Sequence, residues 1–273
     1  MLKAILHGKK RGTGTEGLSL AESFVGAEDT LTATLFERLA YLPDEMLIPI
    51  LFAPDIWGTV GVTHPGAILD VAFWPRLTLR DAPEGDRSVE PDIVITCDDR
   101  VLVIEAKRFD NTDSQHPWQL AREWVAGRQA YPGRPVWLLT VAGLPDGRAR
   151  TVADRRDRIM AQIRALGSEP APQIFKFGYL PWYKIFTLTE TAVGGASAHH
   201  ARLLRDIREG LLLHGVRVEE PVWLADLTSP CWTKLRPKAG VEAFPPQRPT
   251  ALRLLDFGSI KTHPSFFQPR KPS

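Results

Sequence analysis

Apolar positions along the chain follow two rhythms. Between residues 28 and 42, Leu31, Leu35, Leu39 and Leu42 recur at spacings of four and three, the apolar face of a helix that Pro43 ends. A second helix is predicted over 117–131, where Pro117 suits a first turn and Leu120, Trp124, Gly127 and Tyr131 form a stripe. Two more are predicted over 153–166 and 197–215, the latter with Leu204, Ile207 and Leu211 in register. Elsewhere the apolar residues come in short runs. DIVIT (92–96) and VLVIEAK (101–107), separated by the turn residues Cys97-Asp98-Asp99-Arg100, predict a β-hairpin. Both strands are nearly continuous in apolar residues, so their sheet should be covered on both faces. MLIPILF (46–52), AILDVAFW (67–74) and PVWLLTVAG (135–143) read as further strands, Pro49 marking the first as an edge. PQIFKFGYLPWYKIFTL (172–188) reads as one or two more.

The order of elements predicts an α/β fold, a central mixed β-sheet flanked by helices. There is no internal repeat. The expected organisation is an irregular, glycine-bearing segment 1–27, a core over 28–190, a helical extension over 191–236 and a basic Pro-rich tail over 237–273.

Composition changes this picture little. A chain of 273 residues that is 44% apolar can bury a full core. No run approaches the roughly 18 apolar residues of a membrane span. The opening MLKAILHGKKRGTG puts its apolar patch before its charges, the reverse of a secretory signal, so a cytoplasmic protein with no membrane role is expected. Two cysteines, Cys97 and Cys231, make neither a metal-binding pair nor a disulfide framework. The net charge is only +2, yet residues 233–273 hold eight basic and two acidic residues, a local +6 that suits phosphates or simply a solvated tail. His199-His200 has no carboxylate at ligand spacing, and Trp182, Tyr183, Trp223 and Trp232 are expected in the core before any base-stacking role. Neither a GxxxxGK[ST] phosphate loop nor a GxSxG elbow occurs.

Chemistry concentrates on the hairpin. Side chains alternate along a strand, so Glu105 and Lys107 point to one side, and the hairpin brings Asp92 alongside. Charged groups at the end of so apolar a strand need partners. Two carboxylates and a lysine so placed suit phosphodiester hydrolysis. Asp92 and Glu105, with the Ala106 carbonyl between, offer hard oxygen ligands to Mg²⁺ or Mn²⁺. Lys107 would orient the attacking water or neutralise charge on the phosphate. Asp70, inside AILDVAFW, is the reserve for the first acidic position.

Pro91-Asp92 followed by Glu105-Ala106-Lys107 on strand, turn and strand resembles the PD-(D/E)xK nuclease superfamily, which includes restriction endonucleases and Holliday-junction resolvases. The resemblance covers about residues 28–142 and implies a restriction-endonuclease-like core and a metal-dependent DNA endonuclease serving restriction, repair or defence. Family members often add an acid from the first core helix. Glu28 shares the inward face of Leu35, whereas Glu37 lies opposite, so Glu28 is the expected fourth member. Some branches carry a Gln and a Tyr four apart on the next helix; here Gln119 is followed by Glu123. Gln119, Arg108 and Arg122 are the expected nucleic-acid contacts. DNA is the implied partner, with RNA open; many such proteins act as dimers, and a homodimer or a larger defence or repair assembly is a further expectation. The alternative is the same fold kept as an inactive platform for nucleic acid or protein.

Overall fold

A computed structural model describes residues 24, 26–58, 64–80, 87–168, 175–195 and 197–220. They lie in one compact unit, Met1–Pro221; the second unit, Val222–Ser273, with the basic tail, falls outside the described residues, as does nearly all of segment 1–27. The order is α1 (Glu28–Leu39), α2 (Asp44–Leu51), α3 (Pro54–Trp57), β1 (Ile68–Phe73), β2 (Leu77–Thr78), β3 (Ser88–Val89), β4 (Ile93–Cys97), β5 (Val101–Ala106), α4 (Pro117–Ala130), β6 (Val136–Val141), α5 (Ala149–Ala165), β7 (Lys176–Leu180), α6 (Trp182–Val193) and α7 (Ala198–Leu213).

The protein is α/β, with a mixed five-stranded sheet flanked by helices. Its strands run in the order β1-β4-β5-β6-β7. β1, β4 and β5 pair antiparallel; β5, β6 and β7 pair parallel. The three central strands, β4, β5 and β6, are buried throughout, as their unbroken β-branched runs predict. The two parallel steps go the same way along the sheet, and α4 and α5, which make the crossovers, share one face.

Two cores result from strand alternation. On one face Leu102, Ile104 and Ala106 pack with Leu139 under α1, α2, α6 and α7. On the other, Val101, Val103 and Leu138 pack with Leu120, Trp124, Ile159 and Ile163 of α4 and α5. β2 and β3 form a small ribbon against α4. At the sheet edge, Gly178 of β7 lies so close to α3 that an added Cβ would stand 2.5 Å from Ile56 Cγ2. Gly178→Ala is therefore expected to destabilise the fold by about 1–3 kcal/mol, read as a lower urea midpoint.

One expected strand is a helix. Residues 46–51 belong to α2, with Phe52 at its C-cap; Pro43 leads the helix, and Leu47, Ile48, Ile50 and Leu51 face the core. Short apolar runs do not distinguish strand from helix. Pro49 forfeits one intrahelical bond, and Asp44 and Glu45 complement the dipole of the first turn. Among the described residues of 172–188, Lys176–Leu180 is a strand, as expected, and the run from Trp182 onward is helical. Pro181 cannot donate to a ladder and instead caps α6, whose Ile185, Phe186, Thr189 and Val193 are buried at helical spacing. The predicted extension contributes α7, which packs on α1 and α6 within the same compact unit and is tied to α1 by an Arg38–Asp206 ion pair of 2.9 Å. Among the described residues no helix is long and apolar enough to cross a membrane.

Candidate active site

Alternation and register assemble the centre. In the β4–β5 pair, Ile93 stands opposite Ile104, which sets Asp92 beside Glu105 at the carboxyl end of β5. Glu105 shares the parity of Val101 and Val103 and so faces α4, not α1. Asp92 ends the hairpin ladder with its side chain: Oδ2 accepts from the Ala106 N–H at 2.7 Å. The backbone donor that β4 is too short to pair is thereby satisfied by a carboxylate, a charge-assisted bond.

Lys107 follows β5 and is held on several sides. Its N–H donates to Val141 O at 2.8 Å, and its carbonyl accepts from the Trp182 indole at 2.9 Å. Its ammonium donates to Glu105 Oε1 at 2.6 Å and to Glu28 Oε1 at 3.2 Å. Glu28, at the start of α1, also accepts the Arg108 N–H at 2.8 Å. It thus reaches the centre from the opposite face of the sheet and fixes the strand end carrying Lys107.

The fifth member was not predicted as a site residue. Glu123 of α4 is 1% exposed. Its Oε1 accepts from Gln119 Nε2 at 2.9 Å, and the same amide donates to Glu105 Oε1 at 2.6 Å. Oε2 of Glu123 is buried without a hydrogen-bond partner among the described residues. At about 100° per residue, Glu123 lies about 40° beyond the edge of the stripe of Leu120, Trp124 and Gly127, yet on the buried side of α4. A carboxyl flanking an apolar helix stripe is the signal that would have found it.

Electrostatics follow from burial. Asp92 is 8% and Glu105 3% exposed. Burial, then the Glu105 charge, pushes the Asp92 carboxyl up to about 7, against the pull of the Ala106 N–H and Lys107. Burial likewise raises Glu105, although Lys107 and Gln119 favour its ionised form. Glu123 is raised well above the usual range by burial, then by Glu105. Burial works against the Lys107 ammonium, but Glu105 and Glu28 outweigh it and hold its pKa above the ordinary value. The bonded group therefore sets four carboxyls against one ammonium.

The remaining candidates separate. Gln119 joins the centre directly. Arg122 lines a neighbouring cleft of ≈ 200 Å³ together with Trp118, Gln119 and Glu123. Arg108 is half-buried, with its guanidinium bonded to His214 O at 3.2 Å, so it braces the end of α7. Asp70 pairs with Thr96, three residues along β4 from Ile93, is exposed on the edge strand, and does not reach Glu105. Ala106 ends β5 between Asp92 and Lys107. His200 serves the Ser197 cap of α7.

Gly143 controls the space around Lys107. It has φ +73, and an added Cβ would stand 2.8 Å from Lys107 Cγ and from Gln115 Cγ. Gln115 in turn donates to the Glu105 carbonyl at 3.2 Å and the Ala142 carbonyl at 3.3 Å. Gly143→Ala strains the backbone by about 1–2 kcal/mol and displaces Lys107. Any hydrolytic activity should fall at least about tenfold, beyond what the small change in melting temperature explains.

Fold and site together define an α/β protein with a buried carboxylate–lysine centre at the end of a mixed sheet. The chain is 33% identical over 236 residues to "Uncharacterized protein PM0110" of Pasteurella multocida (strain Pm70), a match covering 83% of this chain and 85% of that protein. The chain belongs to the family of that protein. No family model matches the chain, and no solved structure matches it.

Proposed function

We propose that this protein is a divalent-metal-dependent nuclease with a restriction-endonuclease-like core, hydrolysing the phosphodiester bonds of DNA. One observation carries the reading: Asp92, Glu105 and Lys107, predicted from PD…ExK spacing, meet at one strand end with Glu28 and Glu123 converging on them. Four carboxyls with one ammonium need further positive charge or protons, and their oxygens are the hard donors that Mg²⁺ and Mn²⁺ accept. Asp92, Glu105 and the Ala106 carbonyl would hold the ion, with Glu28 or Glu123 assisting. A divalent ion there supplies positive charge to the phosphate and acidity to water.

The chain's own groups account for the rest. Glu28 and Glu105 hold the Lys107 ammonium at the strand end, where it neutralises charge developing on phosphate. Gln119 spaces Glu105 from Glu123 and keeps both carboxyls turned to the centre. In hydrolysis the water oxygen forms a bond to phosphorus while one ester P–O bond breaks. The water proton passes to a carboxylate, and the leaving alkoxide takes up a proton.

One observation favours the alternative of an inactive platform. Among the described residues no three or more His, Cys, Asp or Glu side chains stand arranged to hold a metal ion. Glu105 Oε1 already accepts from the Lys107 ammonium and the Gln119 amide. The two readings separate in a cleavage panel of duplex, single-stranded and branched DNA and of RNA in Mg²⁺, Mn²⁺ and EDTA. A nuclease cuts at least one substrate only with metal, and Asp92→Ala abolishes cutting. Cleavage indifferent to EDTA or to Asp92→Ala defeats the proposal.

A further inference from the structure

The cleft beside the carboxylates has a composition of its own. Trp118 stands on its rim, 44% exposed, one of the few large apolar side chains that the described residues leave open. Val89 of the β2–β3 ribbon adds an apolar wall, and Glu90, Gln119, Arg122 and Glu123 give the polar lining. Arg122 is braced by a long bond, 3.4 Å, from its guanidinium to Ser88 O. Gln119 and Glu123 belong at once to this cleft and to the hydrogen-bonded centre around Glu105. Whatever fills the cleft is therefore adjacent to the reacting phosphate of the proposed nuclease.

We infer that the cleft receives an unpaired nucleobase next to the scissile phosphate, stacked on Trp118, so that the enzyme acts on single-stranded or frayed nucleic acid. A phosphate fits poorly there: it would meet the Glu90 and Glu123 carboxyls with one guanidinium to offset them. A neutral heterocycle fits better, because its flat face stacks on the indole and its N–H edge finds carboxyl and amide oxygens. In a duplex every base is already stacked and paired, so a base reaches Trp118 only where the strand is single or opens readily. The shared chemistry is the aromatic face of the base, common to DNA and RNA.

The inference rests on the nuclease proposal, and its test keeps the two apart. Binding of fluorescein-labelled oligothymidylate, oligouridylate and a blunt hairpin duplex is measured by anisotropy in Ca²⁺, for wild type, Trp118→Ala and Trp118→Phe. Cleavage of the same three is followed in Mg²⁺. Wild type should bind a single strand more tightly than the duplex. Trp118→Ala should weaken single-strand binding about tenfold and duplex binding less than about twofold, with Trp118→Phe retaining most of the affinity. The deoxy and ribo oligomers show which nucleic acid the cleft takes. Equal affinity of wild type and Trp118→Ala for single strands, equal losses on both forms, or no single-strand binding by wild type overturns the inference. Trp118-dependent binding without Mg²⁺ cleavage defeats the nuclease proposal and leaves the cleft's role standing. Mg²⁺ cleavage unaltered by Trp118→Ala, with binding also unaltered, does the reverse.

Discussion

Glu105→Gln is expected to lower Mg²⁺-dependent cleavage by at least about 10²–10³-fold while the protein stays folded. The substitution is nearly isosteric. Its amide oxygen can still accept from Lys107 and Gln119, which now bond Glu105 Oε1 at 2.6 Å each. Removing one charge from three buried carboxyls relieves repulsion, so the fold should lose little stability. The hard anionic ligand, however, is gone. Lys107→Ala should be comparably inactive for a different reason, since it removes the ammonium and leaves Glu105 buried without its ion-pair partner. Some loss of stability is expected from that variant alone. Lys107→Arg should not restore the rate, because a planar guanidinium cannot occupy the point position between Glu105 and Glu28. Initial rates on the best substrate of the panel, with circular dichroism and melting curves on the same samples, check this. A Glu105→Gln protein cutting at the wild-type rate removes the carboxylate from the chemistry and with it the proposed function.

Much of the site was legible because strand geometry is strict. A period of two fixes which face each residue of VLVIEAK takes, and the hairpin turn fixes what lies opposite. Asp92, Glu105 and Lys107 therefore came together as expected. Helix periodicity also separates Glu28 from Glu37: Glu28 meets Lys107, and Glu37 is exposed. Less is legible where local pattern carries less information. MLIPILF satisfies strand and helix alike, and only its packing under the sheet decides for α2. Asp70 sits in a strand as apolar as β4, but β1 is an edge whose exposed positions let water solvate it. Arg108 looked like a phosphate contact because it follows the lysine; its bond to the end of α7 depends on a residue over a hundred positions away. Glu123 carries a signal of its own, a carboxyl on the buried side of α4, which the four-residue Gln–Tyr pattern does not cover. A charged residue that flanks a buried stripe is itself informative.

In metal-free buffer the protein should lose stability as pH rises from about 4 to about 7, and divalent metal should restore it. The direction follows from Asp92. Its carboxyl is held at about 7 in the folded chain, above the ordinary 3.8. In that window the folded state binds more protons than the unfolded state, so stability is full below 3.8 and is lost as pH climbs through 7. The burden is on the order of a few kcal/mol, with Glu105 and Glu123 raised in the same sense. Like charges sharing a buried site cause it, and a cation can take the place of the proton. Metal should therefore bind more tightly at pH 8 than at pH 5. At 100 times its Kd a ligand stabilises by about 2.7 kcal/mol, or about 5–10 °C in melting temperature for a unit of this size. Melting curves in EDTA and in Mn²⁺ at the two pH values measure both effects. Asp92→Asn should flatten the pH dependence and abolish most of the Mn²⁺ shift, because the amide oxygen keeps the bond to the Ala106 N–H but carries no charge. Stabilisation by Mn²⁺ that survives Asp92→Asn would move the metal to another part of the chain. An equal shift at pH 5 and pH 8 would mean that no carboxyl of this centre gives up a proton to the ion.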